Sequence, residues 1–255
     1  MQSHGSIVAS LTSHVLLAHC ESNVDSVTTI LSLLDNLIGL AVDPPSPYLD
    51  FEGFKLRRHG SISIISLYIA PIKKIYLIDI HRLGKVAFST TSSSATSLKT
   101  ILESPTIPKV IFDIRNDSDA LFSHFQISVD GIRDLQLMEL ATRKGSKKFV
   151  VGLAKCIEKE GPISAAAKAE WQHTKEVASR LYDPKNGGRY EIFNERPMKL
   201  EIILRDSLML ASQYLKSSHY SMIPVFERYL CSKRKFSSTT KQPKIADHIL
   251  YCQDT

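Results

Sequence analysis

Between Tyr48 and Ile80 the chain places three strand-forming segments almost end to end, and this crowding constrains the fold more than any other feature. The segments are Tyr48 to Phe54, Ser61 to Ile69 and Ile75 to Ile80, rich in Ile, Leu and Tyr. β-branched and aromatic side chains suit a pleated, half-buried surface. Arg58-His59-Gly60 and Ala70-Pro71-Ile72-Lys73-Lys74 between them are too short for a crossover helix. The three strands are therefore expected to form an antiparallel meander.

Beyond Ile80 helix and strand signals alternate. Ser89 to Ser97 is a Ser/Thr-rich loop leading to a helix with Leu98, Ile101 and Leu102, closed by Pro105 and Pro108. Lys109-Val110-Ile111-Phe112-Asp113 is short and apolar enough for a central strand. Asn116-Asp117-Ser118 opens a helix carrying Leu121, Phe122 and Phe125. A short strand near Ile127 to Ile132 leads to Asp134 and a helix over Leu135 to Thr142, and further helices are expected at Phe149 to Glu158 and Ser164 to Leu181. This order predicts an α/β fold with a mixed five-stranded sheet flanked by helices. Residues 1–46 read as a helical lead-in, with Asp25 or Ser26 as an N-cap, 47–230 as the main domain and 231–255 as a basic polar tail.

At 255 residues and 43% hydrophobic the chain can bury one substantial core, and no apolar run approaches the ~20 residues that cross a bilayer. Cys20, Cys156, Cys231 and Cys252 form no C-x-x-C pair, which fits a reducing, intracellular compartment, nuclear or cytoplasmic. The net charge of +6 favours polyanionic partners. Its Lys and Arg gather at Lys144, Lys147 and Lys148 and again from Lys233 to Lys244. Zinc-hydrolase, serine-hydrolase and P-loop patterns are missing, and His81 reads as a surface turn residue. Trp171 and Tyr182 read as core or interface residues and Cys156 as a buried small hydrophobe.

Within the first strand lies Asp50-Phe51-Glu52-Gly53. Residues i and i+2 of a strand share a face, so both carboxylates project together. Side-by-side carboxylates repel unless a proton or a cation offsets them, and hard divalent ions take oxygen ligands. Asp117, at a helix start after a buried strand, is explained as a helix cap or as a third acid brought over the same sheet end.

These motifs resemble the DEDD 3′–5′ exonucleases of ribonuclease-H-like fold, and more narrowly the ribonuclease-D-related exonuclease-domain proteins of fungi. Asp50-Phe51-Glu52-Gly53 is similar to the family's first motif, and Phe112 to Leu121, with Asp117 in the ligand position, to its second. Ile132 to Arg143 and Gly187 to Met198 look like further family blocks. The resemblance implies hydrolysis of nucleic-acid phosphodiester bonds from a single-stranded 3′ end by two Mg²⁺ or Mn²⁺ ions ~3.5–4 Å apart. Asp50 would bridge both ions, Glu52 would bind one and help place the water, and Asp117 would complete the second coordination shell. Lys55, Arg57 and Arg58, just beyond the first motif, are candidates for the phosphate backbone, or a solubilising edge.

The family's third motif, Tyr-x-x-x-Asp after Arg196-Pro197, is not matched. An ungapped register puts Arg205 and Met209 there, with Asp206 nearby and Tyr251-Cys252-Gln253-Asp254 as a shortened echo. The alternative expectation is therefore a catalytically impaired nucleic-acid-binding or scaffolding module of the same fold.

Overall fold

The structure, a computed structural model, describes residues 20–43, 45–160, 165–199 and 201–203. The tail at 231–255 and Arg205, Asp206, Met209, Tyr251 and Asp254 lie outside these residues.

The meander forms as expected. β2 (Pro47–Glu52) pairs antiparallel with β3 (Ile64–Ile69), which pairs antiparallel with β4 (Lys74–Asp79). β5 (Lys109–Ile111) joins β2 in parallel, and β6 (Ile132–Asp134) joins β5 in parallel. The sequence does not announce one further strand. Cys20–Val24 forms β1, parallel to β4 at the sheet edge, so the sheet has six strands in the order β1-β4-β3-β2-β5-β6 rather than five. The core therefore runs across residue 46, where a lead-in was expected to end.

α1 (Val27–Leu37) starts at Ser26, whose hydroxyl accepts from Thr29 N–H while Thr29 Oγ1 accepts from Ser26 N–H, a reciprocal cap. Its Ile30, Leu33 and Leu34, spaced for one helical face, are fully buried. They pack on one sheet face with Leu49, Phe51, Ile65 and Leu67, and with Leu98 and Ile101 of α4 (Leu98–Glu103). Between β4 and α4 lie two short helices, α2 (Ile80–Leu83) and α3 (Val86–Ser89). The other face holds Tyr48, Tyr68, Leu77 and Val110 under Leu135 and Met138 of α6 (Leu135–Thr142). With helices on both sides, every residue of β3 is buried.

α5 (Arg115–Phe125) connects β5 to β6, and α7 (Leu153–Glu160) and α8 (Ala165–Tyr182) come after α6. α7 begins at Leu153 rather than at Phe149, which leaves residues 143–152 as an irregular connection. Leu153, Ile157 and Trp171 form a small cluster with Phe112, and Cys156 is buried, so the core readings of Trp171 and Cys156 hold. Because only β3 is reversed, the C-terminal ends of β2, β4, β5 and β6 lie along one edge of the sheet. That edge carries Glu52, Asp79 and Asp134, with Asp113 just beyond β5.

Candidate active site

Asp50 and Glu52 leave β2 on the face where Tyr48 packs against Tyr68, opposite Ser66 and Ile64 of β3. Gly53 comes next because the returning chain passes directly over it. A Cβ there would lie 2.0 Å from the Ser61 carbonyl oxygen, nearer than any side chain tolerates. The glycine of the Asp-x-Glu-Gly motif thus lets the loop fold back without moving Glu52.

Asp117 is the third residue of α5 and is 7% exposed. The N-cap of α5 is Ile114, which offers no side-chain hydrogen bond, and Asp117 is not the capping residue. Burial pushes its carboxyl well above the usual range, and the charges of Asp50 and Glu52 push it further, followed by Asp113 and Asp134. The field of the first motif therefore reaches the second, against the helix dipole that would favour a charged acid here.

Asp134 organises the approach, a role that the sequence does not assign. Its carboxylate accepts from the backbone N–H groups of Asp113 (3.1 Å), Ile114 (3.2 Å) and Gln136 (2.9 Å). Its pKa is raised, chiefly by burial and also by the charge of Asp113, against the three hydrogen bonds. The bonds fasten the β5–α5 turn to the β6–α6 turn, and Asp113 holds a left-handed φ of 65° within that turn. Arg115 grips the Asp113 carboxylate at 2.6 and 2.7 Å. The only sequence signal for Asp134 is its place before a helix.

Lys55, Arg57 and Arg58 are exposed on the loop after β2. Arg58, expected to meet phosphate, forms a forked pair with Asp119 of α5 in the ligand-free chain, at 3.1 Å from Nε and 2.8 Å from Nη2. Its backbone N–H also donates to Asp119, and Ser123 donates to its carbonyl. The loop of the first motif is thereby bolted to the helix of the second. On the same loop the Lys55 ammonium lies 5.3 Å from the Phe54 ring centroid.

The described residues 190–199 and 201–203 return over the acid-bearing face. Ile64, paired in register with Glu52, packs with Ile192, Phe193 and Ile202, while Met198 and Ile203 pack near Tyr48 and Tyr68. Arg196 secures this return. Its guanidinium pairs with both oxygens of Asp79, whose side chain is wholly buried, and donates to the carbonyls of Phe193 (2.9 Å) and Glu195 (2.7 Å). Tyr182 packs on Phe193 at 5.7 Å and belongs to this core, and His81 is exposed in α2.

Asp50, Glu52 and Asp117 offer only hard oxygen donors, the ligand type that Mg²⁺ and Mn²⁺ prefer, and their mutual repulsion is of the kind a cation relieves. In chemistry they fit such ions. Among the described residues, no three His, Cys, Asp or Glu side chains already stand as a closed metal-holding group.

Comparison with known proteins bears on the fold and the family. Mouse piRNA biogenesis protein EXD1 is 30% identical over 129 residues, covering 49% of this chain but only 21% of the mouse protein. The fold superposes on Trypanosoma brucei RNase D in complex with RNA U12 with a TM-score of 0.63 and 18% identity, over 85% of this chain and 67% of that one. Against the GMP complex of the same enzyme the TM-score is 0.66, with 18% identity over 82% and 59% of the two chains. Escherichia coli RNase D gives 0.51 and 15% identity, over 84% and 50%. At these identities the structures speak for the fold alone, a ribonuclease-D-like α/β architecture. A 3′–5′ exonuclease family profile matches residues 27–174, more than half of the sequence and inclusive of Asp50, Glu52 and Asp117. The chain belongs to the 3′–5′ exonuclease family.

Proposed function

We propose that this chain hydrolyses single-stranded nucleic acid from its 3′ end, with Asp50, Glu52 and Asp117 holding Mg²⁺ or Mn²⁺, two ions in the complete site. The observation that carries this reading is the buried Asp117, whose carboxyl is held in the repulsive field of Asp50 and Glu52. Folding two acid motifs toward one point is unfavourable, and a divalent cation is the remedy chemically suited to them. Bound ions of this kind lower the pKa of water and offset charge on the attacking and leaving oxygens of a phosphodiester.

The protein's own groups then divide the work. Asp50 and Glu52 supply adjacent ligands from the rigid β2, and Asp117 supplies one from α5. Asp134 keeps the β5–α5 turn in place through three backbone hydrogen bonds. Lys55 and Arg57, exposed on the loop after β2, are assigned to the phosphate backbone, while Arg58 braces their loop through Asp119. RNA is the first substrate to test, because one trypanosome RNase D structure is an RNA complex and the mouse relative is named for piRNA biogenesis.

The test is progressive shortening of a 5′-labelled single-stranded oligonucleotide in Mn²⁺ or Mg²⁺. Wild type should shorten it from the 3′ end, EDTA should stop the reaction, and Asp50→Ala and Asp117→Asn should each abolish it. An equal, metal-independent signal from wild type and Asp50→Ala would refute the reading. Binding without any shortening would return the chain to the binding-module alternative.

A further inference from the structure

After α6 the chain turns back as a strap over residues 143–151, and its chemistry is lopsided. No acidic residue occurs between Glu139 and Glu158, whereas Arg143, Lys144, Lys147, Lys148 and Lys155 all fall in that interval. Phe149 is 72% exposed, the most open of the large hydrophobic residues in the described structure. Lys144 and Lys148 are exposed on the same strap, and the Lys148 ammonium lies 5.4 Å from the Phe149 ring centroid. An isolated exposed Phe is ordinary; one flanked by uncompensated lysines suits a ligand with both a flat apolar surface and a negative backbone.

The strap is held in shape before any ligand arrives. Arg143 forms a forked pair with Glu139, whose side chain is almost fully buried. The same guanidinium donates to the carbonyls of Ser146 (2.8 Å) and Phe149 (2.9 Å), and Lys147 donates to the Ala141 carbonyl (2.8 Å). Arg143 and Lys147 are thus used internally, which leaves Lys144, Lys148 and the Phe149 ring facing outward. A preformed surface of this kind loses less entropy on binding than a free loop.

Its position links it to the acids. Two residues after Phe149 the Val151 carbonyl accepts from Gln136 Nε2 at 3.1 Å. Gln136 lies two residues past Asp134, donates its own N–H to that carboxylate, and meets Arg115, the partner of Asp113. Two residues span at most about 7 Å, so the strap ends at the rim of the acid-bearing edge.

We propose that Lys144 to Phe149 is a binding strap for single-stranded nucleic acid, with Phe149 stacking under a base and Lys144 and Lys148 meeting phosphates. It rests on the nuclease reading only for the strand's direction, its 3′ end lying toward Asp50. Stacking on one aromatic ring and contact with two phosphates each have a distinct signature.

The experiment measures binding of a fluorescein-labelled single-stranded oligonucleotide by anisotropy, in EDTA, with the full chain and with RNA and DNA of one sequence. Phe149→Ala should weaken binding to at least one of them about tenfold, and Phe149→Trp should restore it. The double substitution Lys144→Ala with Lys148→Ala should lower the salt-dependence slope by about 0.7 per lysine. Wild-type affinity in Phe149→Ala for both strands, or an unchanged slope in the double variant, overturns the proposal. Because EDTA removes turnover, the two readings fail separately. A chain that binds through Phe149 but never shortens RNA keeps the strap and loses the hydrolysis. A chain that shortens RNA with a KM unmoved by Phe149→Ala keeps the hydrolysis and loses the strap.

Discussion

Lys109 offers a test of the energetics that hold the second acid motif in place. It begins β5, the strand leading to Asp117, and its side chain is wholly buried. The ammonium donates to the carbonyls of Ile101 (2.8 Å) and Ser104 (2.7 Å) at the C-terminus of α4, where cations are favoured. Burial nevertheless dominates and takes its pKa from 10.5 to about 8, with Asp130 opposing. A shift of roughly 2.5 units is worth about 3.4 kcal/mol. The direction comes from proton counting. Between the folded value near 8 and the unfolded value of 10.5 the unfolded chain holds a proton that the folded one has released. Stability should therefore rise with pH through that window. Lys109→Met keeps the apolar stem and deletes the titration, at a pH-independent loss of two hydrogen bonds. Urea unfolding would be tracked by the fluorescence of the single, buried Trp171. Other lysines and tyrosines titrate alike in both proteins and cancel in the difference. Wild type should gain about 3 kcal/mol on Lys109→Met between about pH 7 and about pH 10.5. Parallel stability curves for the two proteins would refute the claim that burial sets the energetics of Lys109.

The acid site predicts its own stability signature. Asp117, raised above 3.8 by burial and then by its acidic neighbours, should destabilise the metal-free fold as pH climbs past 3.8. Asp117→Asn should accordingly raise the metal-free stability at neutral pH by about 1 kcal/mol, while Mn²⁺ stabilises wild type alone in a thermal melt. A lower melting temperature for metal-free Asp117→Asn than for wild type would contradict this. Gly53→Ala, driven into the Ser61 carbonyl, should lose about 2 kcal/mol in urea unfolding and most turnover, since the displaced residue adjoins Glu52. Arg196→Ala leaves Asp79 buried without its partner and should lose about 3–5 kcal/mol, and Asp79→Asn in the same chain should recover part of that loss. Additive losses in the double variant would show that the pair is not coupled.

The range of each interaction decides how far the sequence reveals it. The meander is readable because its strands are local, β-branched and joined by short connectors, and period-two alternation places Asp50 and Glu52 on one face. The Ser26 cap and the helix at Leu135 are equally local signals. β1 is not readable: Cys-Glu-Ser-Asn-Val has little strand character, and it becomes a strand through parallel pairing with β4, far along the chain. The pairing of Arg58 with Asp119 is not readable either, because the two lie sixty-one residues apart. Nothing within Lys109-Val110-Ile111 announces a buried ammonium either, since the α4 carbonyls that receive it belong to another element.

Periodicity in neighbouring residues was enough to predict a mixed α/β sheet and to set Asp50 and Glu52 on one face, and the resemblance of the motifs to ribonuclease-H-like exonucleases nominated Asp117 beside them. Tertiary structure decided the rest. It set Asp117 in the field of Asp50 and Glu52, made Asp134 the fastening of the turn beside it, and laid Ile192, Phe193 and Ile202 over the acid-bearing face. Those outcomes depend on burial and on charges converging from separate strands and helices. Desolvation and Coulomb energies belong to the assembled environment, and no segment of sequence contains that environment by itself.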